Sequence, residues 1–141
     1  MGKGGYGVVY AVKQKRYSKE DFALKIVEYC PFDVDRKNEI FHEVGLMLTN
    51  KNEYIIGIKK VFDWDDKIQM LLPRMDGSIK DFISKCDGAY SNESTVYILH
   101  SLLKGLECLH KKNIIHRDIK TENVLFCKNG SIKLSDLGVC A

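Results

Sequence analysis

The sequence has few of the residues that mark special classes of protein. It contains only 2 prolines and 1 tryptophan, and none of its apolar runs approaches the roughly 20 residues that a membrane-spanning helix needs. Its 22 basic and 19 acidic side chains are scattered along the chain, with a net charge of +3, so no charged block predicts contact with nucleic acid or a membrane. We expect a soluble intracellular protein, cytoplasmic with a nuclear location left open; oligomeric state is not predicted.

Cysteine is present but not in a pattern that predicts cross-links. The 5 cysteines are an odd number and include no Cys-x-x-Cys pair, which argues against a disulfide framework and against a structural zinc site. We expect ordinary thiols in a reducing compartment at Cys30, Cys86, Cys108, Cys127 and Cys140.

Four segments of the first half have the composition of β-strands. Residues 7–13 and 22–29 are rich in β-branched and aromatic side chains, and residues 55–62 and 67–72 follow with similar character. The segment 67–72 is nearly all apolar, so we expect it to be buried on both faces. These features predict a small β-sheet.

A helix is predicted between the second and third of these strands. Asp33 or Asp35 could cap its N-terminus, and Glu39 and Glu43 lie beside its apolar stripe. The stripe has a period of about 3.6 residues and consists of Ile40, Val44, Met47 and Leu48.

The second half begins with a stronger helical pattern. Ser91 or Asn92 precedes a helix whose apolar residues form one uninterrupted stripe: Val96, Leu99, Leu102, Leu103, Leu106 and Leu109. Further on, two short apolar strands at 124–126 and 132–134 flank Asn129-Gly130, a pair that favours a tight hairpin.

Glycines near the start have the spacing G-x-G-x-x-G-x-V. Gly2, Gly4, Gly7 and Val9 supply the fixed positions, and residues without Cβ atoms let backbone amides approach phosphate oxygens closely. The same spacing occurs in dinucleotide-binding folds, where it opens a helix, whereas here a strand follows. A plain flexible hairpin is the alternative for this motif alone.

One charged side chain interrupts an apolar strand. Lys25 ends the run Phe-Ala-Leu-Lys, and a charge in such a strand needs a partner. A phosphate and a carboxylate would serve, and the spacing to the next strand favours Glu43 as the carboxylate. Glu39 remains the alternative.

The most specific motif lies at residues 115–123. The sequence Ile-His-Arg-Asp-Ile-Lys-Thr-Glu-Asn matches H-R-D-x-x-x-x-N at every fixed position, from His116 to Asn123. An Asp-Leu-Gly sequence begins at Asp136, after an apolar strand and a hairpin.

Together these motifs resemble the eukaryotic protein kinase domain of serine/threonine type, from its glycine-rich loop to its Asp-Phe-Gly motif, where Leu137 replaces phenylalanine. The resemblance implies an α+β fold with an antiparallel N-lobe sheet and one helix (1–72), a hinge (73–78) and the first part of a mostly helical, truncated C-lobe (79–141). Because the remaining C-lobe would follow residue 141, we expect these 141 residues alone to be inactive.

The resemblance also implies an ATP site. The three glycines of the loop would cover the triphosphate, and apolar side chains would enclose the adenine. Leu72 would be the gatekeeper residue. Pro73 is unusual in a hinge and has no amide hydrogen, but the family's contact to adenine at that position is made by a backbone carbonyl, which proline retains. The implied ATP-binding residues are Gly2, Gly4, Gly7, Val9, Ala23, Lys25, Leu72, Pro73, Met75, Ser78 and Leu125. Ser78 could instead cap a helix over 79–86, and both roles are compatible.

Catalytic roles follow from the same resemblance. Asp118 would accept the proton of the substrate hydroxyl, and Lys120 would contact the γ-phosphate, as is typical of serine/threonine kinases. Asn123 and Asp136 would hold Mg²⁺. Lys25, paired with Glu43, would hold the α- and β-phosphates of ATP; the implied partners are therefore ATP and a protein substrate.

Two other functions are weighed against this one. A catalytically silent kinase-like module commonly lacks the lysine, the base or the metal ligand, whereas all of these are present here. A dinucleotide-dependent oxidoreductase is disfavoured because the chain has no parallel βαβ pattern.

Overall fold

The computed structural model describes residues 3–4, 7–13, 21–86 and 91–140. The chain forms two compact units, one made of Met1–Thr49 and Gly57–Arg74 and the other of Asn50–Ile56 and Met75–Ala141. The sequence predicted a first lobe over 1–72, a hinge over 73–78 and a second lobe from 79, and it did not predict that residues 50–56 belong to the second unit.

Residues 50–56 join the second unit through backbone hydrogen bonds. Leu134 donates its N–H to the carbonyl of Tyr54 at 2.8 Å, and Ile56 donates to the carbonyl of Leu134 at 2.9 Å. Ile55, which is fully buried, forms an isolated parallel bridge with Leu134. The predicted strand 55–62 is therefore wrong at its start, because its first apolar residues pair with the second unit.

The first unit contains a five-stranded antiparallel sheet whose strands are β1 (Lys3–Gly4), β2 (Gly7–Lys13), β3 (Asp21–Glu28), β4 (Lys60–Trp64) and β5 (Lys67–Pro73). Their order in the sheet is β1-β2-β3-β5-β4. Ile68, Met70 and Leu72 of β5 are buried, whereas the residues between them are only half-buried. The expectation that this strand is buried on both faces was therefore wrong, because only one face of the sheet is covered.

The turn between β4 and β5 consists of Asp65 and Asp66, which have φ values of 53° and 55°. Positive φ at both central residues is the geometry of a type I′ hairpin turn, in which glycine is favoured at the second position. Asp66 therefore has a backbone conformation that glycine would adopt at a lower free-energy cost.

We expect Asp66→Gly to raise the free energy of unfolding by about 0.5 kcal/mol. Glycine removes the backbone strain at positive φ, and this gain exceeds the cost of the larger conformational entropy that glycine gives the unfolded chain. Denaturant titration measures the change. Asp66→Ala is the matched control, since it removes the same carboxylate but keeps a Cβ atom, and it should lower stability. Equal shifts in both variants would assign the effect to charge.

Helix α1 spans Val34–Thr49. Its N-terminal cap is Asp33, whose Oδ1 accepts a hydrogen bond from the Arg36 N–H at 2.9 Å. The predicted core residues Ile40, Val44 and Met47 are buried. Leu48, the fourth member of the predicted stripe, lies at its edge, and its side chain is half exposed.

The second unit combines helices with a small sheet. Its helices are α2 (Ile79–Lys85) and α3 (Asn92–His110), and a 3-10 turn covers Thr121–Asn123. A three-stranded antiparallel sheet has the order β6-β7-β8, with β6 at Gly77–Ser78, β7 at Val124–Phe126 and β8 at Ile132–Leu134.

Helix α3 begins after Ser91, which caps it by accepting the Ser94 N–H. Its buried residues are Ser101, Gly105 and Leu109. The predicted stripe is therefore not buried as a whole: its members Val96, Leu99 and Leu103 are exposed. A Cβ at Gly105 would lie 3.2 Å from the carbonyl oxygen of Tyr54, which shows how closely this helix approaches segment 50–56.

The predicted hairpin at Asn129-Gly130 is present, and Gly130 has φ +90°. The connection is longer than a two-residue turn, since Cys127 still donates its N–H to the carbonyl of Ser131. All 5 cysteines carry free thiols. Within the described residues, no helix has both the length and the apolar character for a membrane span.

Candidate active site

The lysine within β3 pairs with a glutamate of α1. Lys25 Nζ donates to Glu43 Oε1 at 2.7 Å, and the two side chains are 14% and 7% exposed. Glu39, the alternative partner, is 62% exposed and pairs with Arg36 at 2.9 Å. The structure thus confirms Glu43 as the carboxylate beside Lys25.

The sheet register gathers four predicted ATP-binding residues on one face. Val9 lies opposite Lys25 in the β2–β3 pair. Ala23, two residues before Lys25, lies opposite Leu72 in the β3–β5 pair, and both are buried. Because side chains two residues apart share a face, all four flank the same surface as Glu43. Pro73, the last residue of β5, pairs with Phe22.

The predicted glycine loop is described only in part. Gly2 lies outside the described residues, and Gly4 pairs with Gly7 at the end of the β1–β2 hairpin. Gly7 has φ +123°, and a Cβ there would overlap the carbonyl oxygen of Ile26 in β3. The sheet itself therefore requires glycine at this position, whatever the loop binds.

The catalytic-loop motif forms a connected polar group around Asp118. Lys120 Nζ donates to Asp118 Oδ2 at 2.6 Å. Asn123 Nδ2 donates to the same carboxylate oxygen and to the Asp118 carbonyl, both at 2.9 Å. Arg117, next to Asp118, has φ 63°, a left-handed conformation that is uncommon for residues other than glycine.

These contacts perturb both charged groups. The hydrogen bond from Lys120 is the main cause that lowers the pKa of Asp118, with smaller contributions from Asn123 and the positive charge of Lys120. The same bond to Asp118 raises the pKa of Lys120. At neutral pH Asp118 is therefore a carboxylate, the form that can accept a hydrogen bond from a hydroxyl.

We expect Lys120→Met to raise the pKa of Asp118 toward its ordinary value of 3.8, measured by carbon NMR titration of the carboxyl group. Because the folded-state pKa is lowered, the pair stabilises the fold above the ordinary pKa, and this contribution disappears as pH falls through the folded-state value. Lys80→Met is the control, since Lys80 pairs with Glu122 at 2.9 Å instead. An unchanged Asp118 titration in Lys120→Met would contradict the assigned cause.

Ser135 connects the catalytic loop to Asp136, and sequence reasoning missed it. Its N–H and Oγ both donate to the Asn123 carbonyl, at 2.8 and 2.9 Å. Its own carbonyl lies 3.0 Å from His116 Nε2, while His116 Nδ1 accepts the Asp118 N–H at 3.3 Å. Asp136 follows directly with φ 63°. The only sequence signal for Ser135 was its position before Asp136.

Three predicted nucleotide-binding residues lie in the second unit. Ser78 caps α2 through a capping box with Asp81, which confirms the alternative role that the sequence left open. Leu125 of β7 pairs directly with Ser78 of β6, and Met75 lies half-buried just before β6. The contact between Ser78 and the ribose of ATP, which is compatible with this cap, remains a prediction.

Comparison with known proteins decides the family. The sequence model described as protein kinase domain matches residues 1–141. The chain belongs to the protein kinase family.

Two curated relatives of this kinase chain come from Saccharomyces cerevisiae (strain ATCC 204508 / S288c). One, MAP kinase kinase MKK1/SSP32, is 35% identical over 145 aligned residues, which cover 99% of this chain and 28% of that protein. The other, serine/threonine-protein kinase SCH9, is 30% identical over 145 residues, covering 99% of this chain and 17% of that protein. The chain thus spans less than a third of the length of either.

The kinase resemblance implies Mg²⁺, and the side chains named for it suit that ion. Asn123 uses its amide nitrogen for Asp118, which leaves the amide oxygen outside those two hydrogen bonds. Asp136 adds a carboxylate and directly follows Ser135, which donates two hydrogen bonds to the Asn123 carbonyl. Mg²⁺ prefers hard oxygen ligands and commonly takes only one or two from protein, with phosphate and water completing the set.

Proposed function

We propose that the protein containing this chain transfers the γ-phosphate of ATP to serine or threonine side chains of protein substrates. The observation that carries the proposal is the hydrogen-bonded group of Asp118, Lys120 and Asn123. Its members match, position by position, the base, the phosphate-contacting lysine and the metal-binding asparagine of the family. We also propose an intracellular location, since the cysteine pattern is that of a reducing compartment.

Asp118 would accept a hydrogen bond from the substrate hydroxyl and take its proton as the new O–P bond forms and ADP leaves. Lys120, which donates a hydrogen bond to Asp118, would also contact the γ-phosphate and stabilise its negative charge during transfer. A lysine at this position supports serine/threonine specificity, because tyrosine kinases usually place alanine or arginine in this loop. One of the two relatives named above is itself named a serine/threonine-protein kinase.

Lys25 would bind the α- and β-phosphates through its ammonium group. Glu43 orients that group and compensates its charge in a buried setting, where an unpaired lysine would be costly. Bound Mg²⁺, held by Asn123 and Asp136, would neutralise phosphate charge. A catalytically silent module is disfavoured because the lysine, the base and both proposed metal ligands are retained.

The test is phosphoryl transfer by the full-length protein, with γ-labelled ATP, Mg²⁺ and peptides that differ only in a serine, threonine or tyrosine acceptor. We expect label on serine and threonine and none on tyrosine, and no label with Asp136→Asn. Nucleotide binding without transfer to any acceptor would favour the silent module. Label on tyrosine alone would contradict the specificity.

A further inference from the structure

Tyr29, the residue that follows β3, makes three contacts that no motif accounts for. Its N–H donates to the Asp66 carbonyl at 3.0 Å, and its hydroxyl donates to Asp63 Oδ1, also at 3.0 Å. Lys37 of α1 places its Nζ 5.4 Å from the centre of the Tyr29 ring. The hydrogen bond to Asp63 raises the pKa of Tyr29, so the hydroxyl stays a donor at neutral pH.

Lys37 contacts a second ring as well. Its Nζ lies 5.9 Å from the ring centre of Phe41, one turn further along α1. An ammonium group over an aromatic face is attracted by the electron-rich ring, and contact with two rings at once restricts the lysine side chain. We name Tyr29, Lys37 and Asp63 the Tyr29 latch; it joins the helix to the end of β3 and to β4.

The latch and the Lys25–Glu43 pair contact α1 on opposite sides of its buried stripe. Lys37 and Glu43 are six positions apart, which places them about 120° apart around a helix of 3.6 residues per turn. Ile40, which is buried, lies between these two directions. Polar contacts on both flanks of a buried stripe resist rotation of the helix about its axis, because rotation in either direction lengthens one of them.

We propose that Lys37 and Tyr29 are positioning residues that hold α1 in the rotation at which Glu43 reaches Lys25. The proposal rests on the proposed kinase function for its effect on activity, but its structural part stands without it. The short connection between Tyr29 and the Asp33 cap determines where α1 starts but not how α1 is rotated about its axis. The contact between Lys37, in the first turn of α1, and the Tyr29 ring restricts that rotation.

The test compares Lys37→Met, Lys37→Arg, Tyr29→Leu and Tyr29→Phe in the full-length protein. Lys37→Met and Tyr29→Leu should each lower kcat about 3- to 10-fold with the KM for the peptide unchanged, since either removes the cation–ring contact. Lys37→Arg keeps that contact and should retain most of the activity, and Tyr29→Phe, which keeps the ring but loses the hydrogen bond to Asp63, should lower kcat less than Tyr29→Leu does. Lys60→Met, at an exposed position of β4, is the matched control and should change nothing.

A double-mutant cycle separates positioning from a general loss of stability. If the latch acts through Glu43, Lys37→Met should lower kcat much less in a Glu43→Gln background than in the wild type. Equal losses in both backgrounds, or no loss in Lys37→Met alone, would overturn the proposal.

A second readout does not depend on activity. The side-chain nitrogen signal of Lys25 reports its hydrogen bond to Glu43, and Lys37→Met should shift that signal in the direction that Glu43→Gln does. If the wild-type protein transfers no phosphate, the proposed function fails while this measurement still decides the latch. A Lys25 signal that Lys37→Met leaves unchanged would contradict the role of the Tyr29 latch and would not affect the proposed function.

Discussion

Asp118→Asn is expected to lower phosphoryl transfer roughly 10²- to 10⁴-fold, the usual contribution of a positioned general base. The substitution conserves shape but removes the charge that accepts hydrogen bonds from Lys120 and Asn123, and an amide cannot take the hydroxyl proton. Initial rates with saturating ATP and peptide measure the loss in kcat. Comparable losses are expected for Asp136→Asn and Lys25→Met.

Asp65→Asn is the control for this change, since it makes the same replacement in the β4–β5 turn, where asparagine tolerates a positive φ. It should leave kcat unchanged. Near wild-type turnover by purified Asp118→Asn, with melting behaviour like that of the wild type, would show that another group serves as the base.

Glu43→Gln is expected to lower activity at least tenfold, whereas Glu39→Gln should leave it almost unchanged. The two glutamates are four residues apart on α1, but only Glu43 is buried and paired with Lys25. Removing one partner of a buried ion pair leaves the other charge uncompensated and costs about 3–5 kcal/mol. Glu39 forms an exposed pair with Arg36, a kind of interaction worth about 0–1 kcal/mol.

Rates for this pair of variants are compared per folded protein, with thermal melting recorded for each. Because the substitution is the same and the helix is the same, any general effect of losing a carboxylate cancels. Equal losses, or a larger loss in Glu39→Gln, would mean that the ion pair with Lys25 has no part in the reaction.

Local patterns in the sequence predicted much of the fold. The β-branched and aromatic composition of residues 7–13 and the helical period of Ile40, Val44 and Met47 depend only on neighbours along the chain, and these elements form where expected. The catalytic motif behaved in the same way, because His116, Asp118 and Asn123 are close in sequence and their contacts follow from one short loop.

Local patterns were not enough where burial or pairing depends on a distant element. Leu99 and Leu103 belong to the apolar stripe of α3 but are exposed, whereas the face that packs against segment 50–56 contains Gly105, where a Cβ atom would lie 3.2 Å from the Tyr54 carbonyl oxygen. Likewise, Ile55 was assigned to a strand of the first sheet but bridges to Leu134, about 80 residues later, a pairing that no local pattern encodes.

The sequence by itself determined the family, the order of strands and helices, and the identity of the charged side chains that carry the proposed chemistry. Only the tertiary structure decided which groups meet: Glu43 rather than Glu39 beside Lys25, Ser135 between Asn123 and His116, and Lys37 over Tyr29. The reason is physical. Motifs and periodicities arise from covalent geometry over a few residues. An ion pair or a hydrogen bond between two elements depends instead on how their packed faces align, and that alignment results from all the contacts of the folded unit acting together.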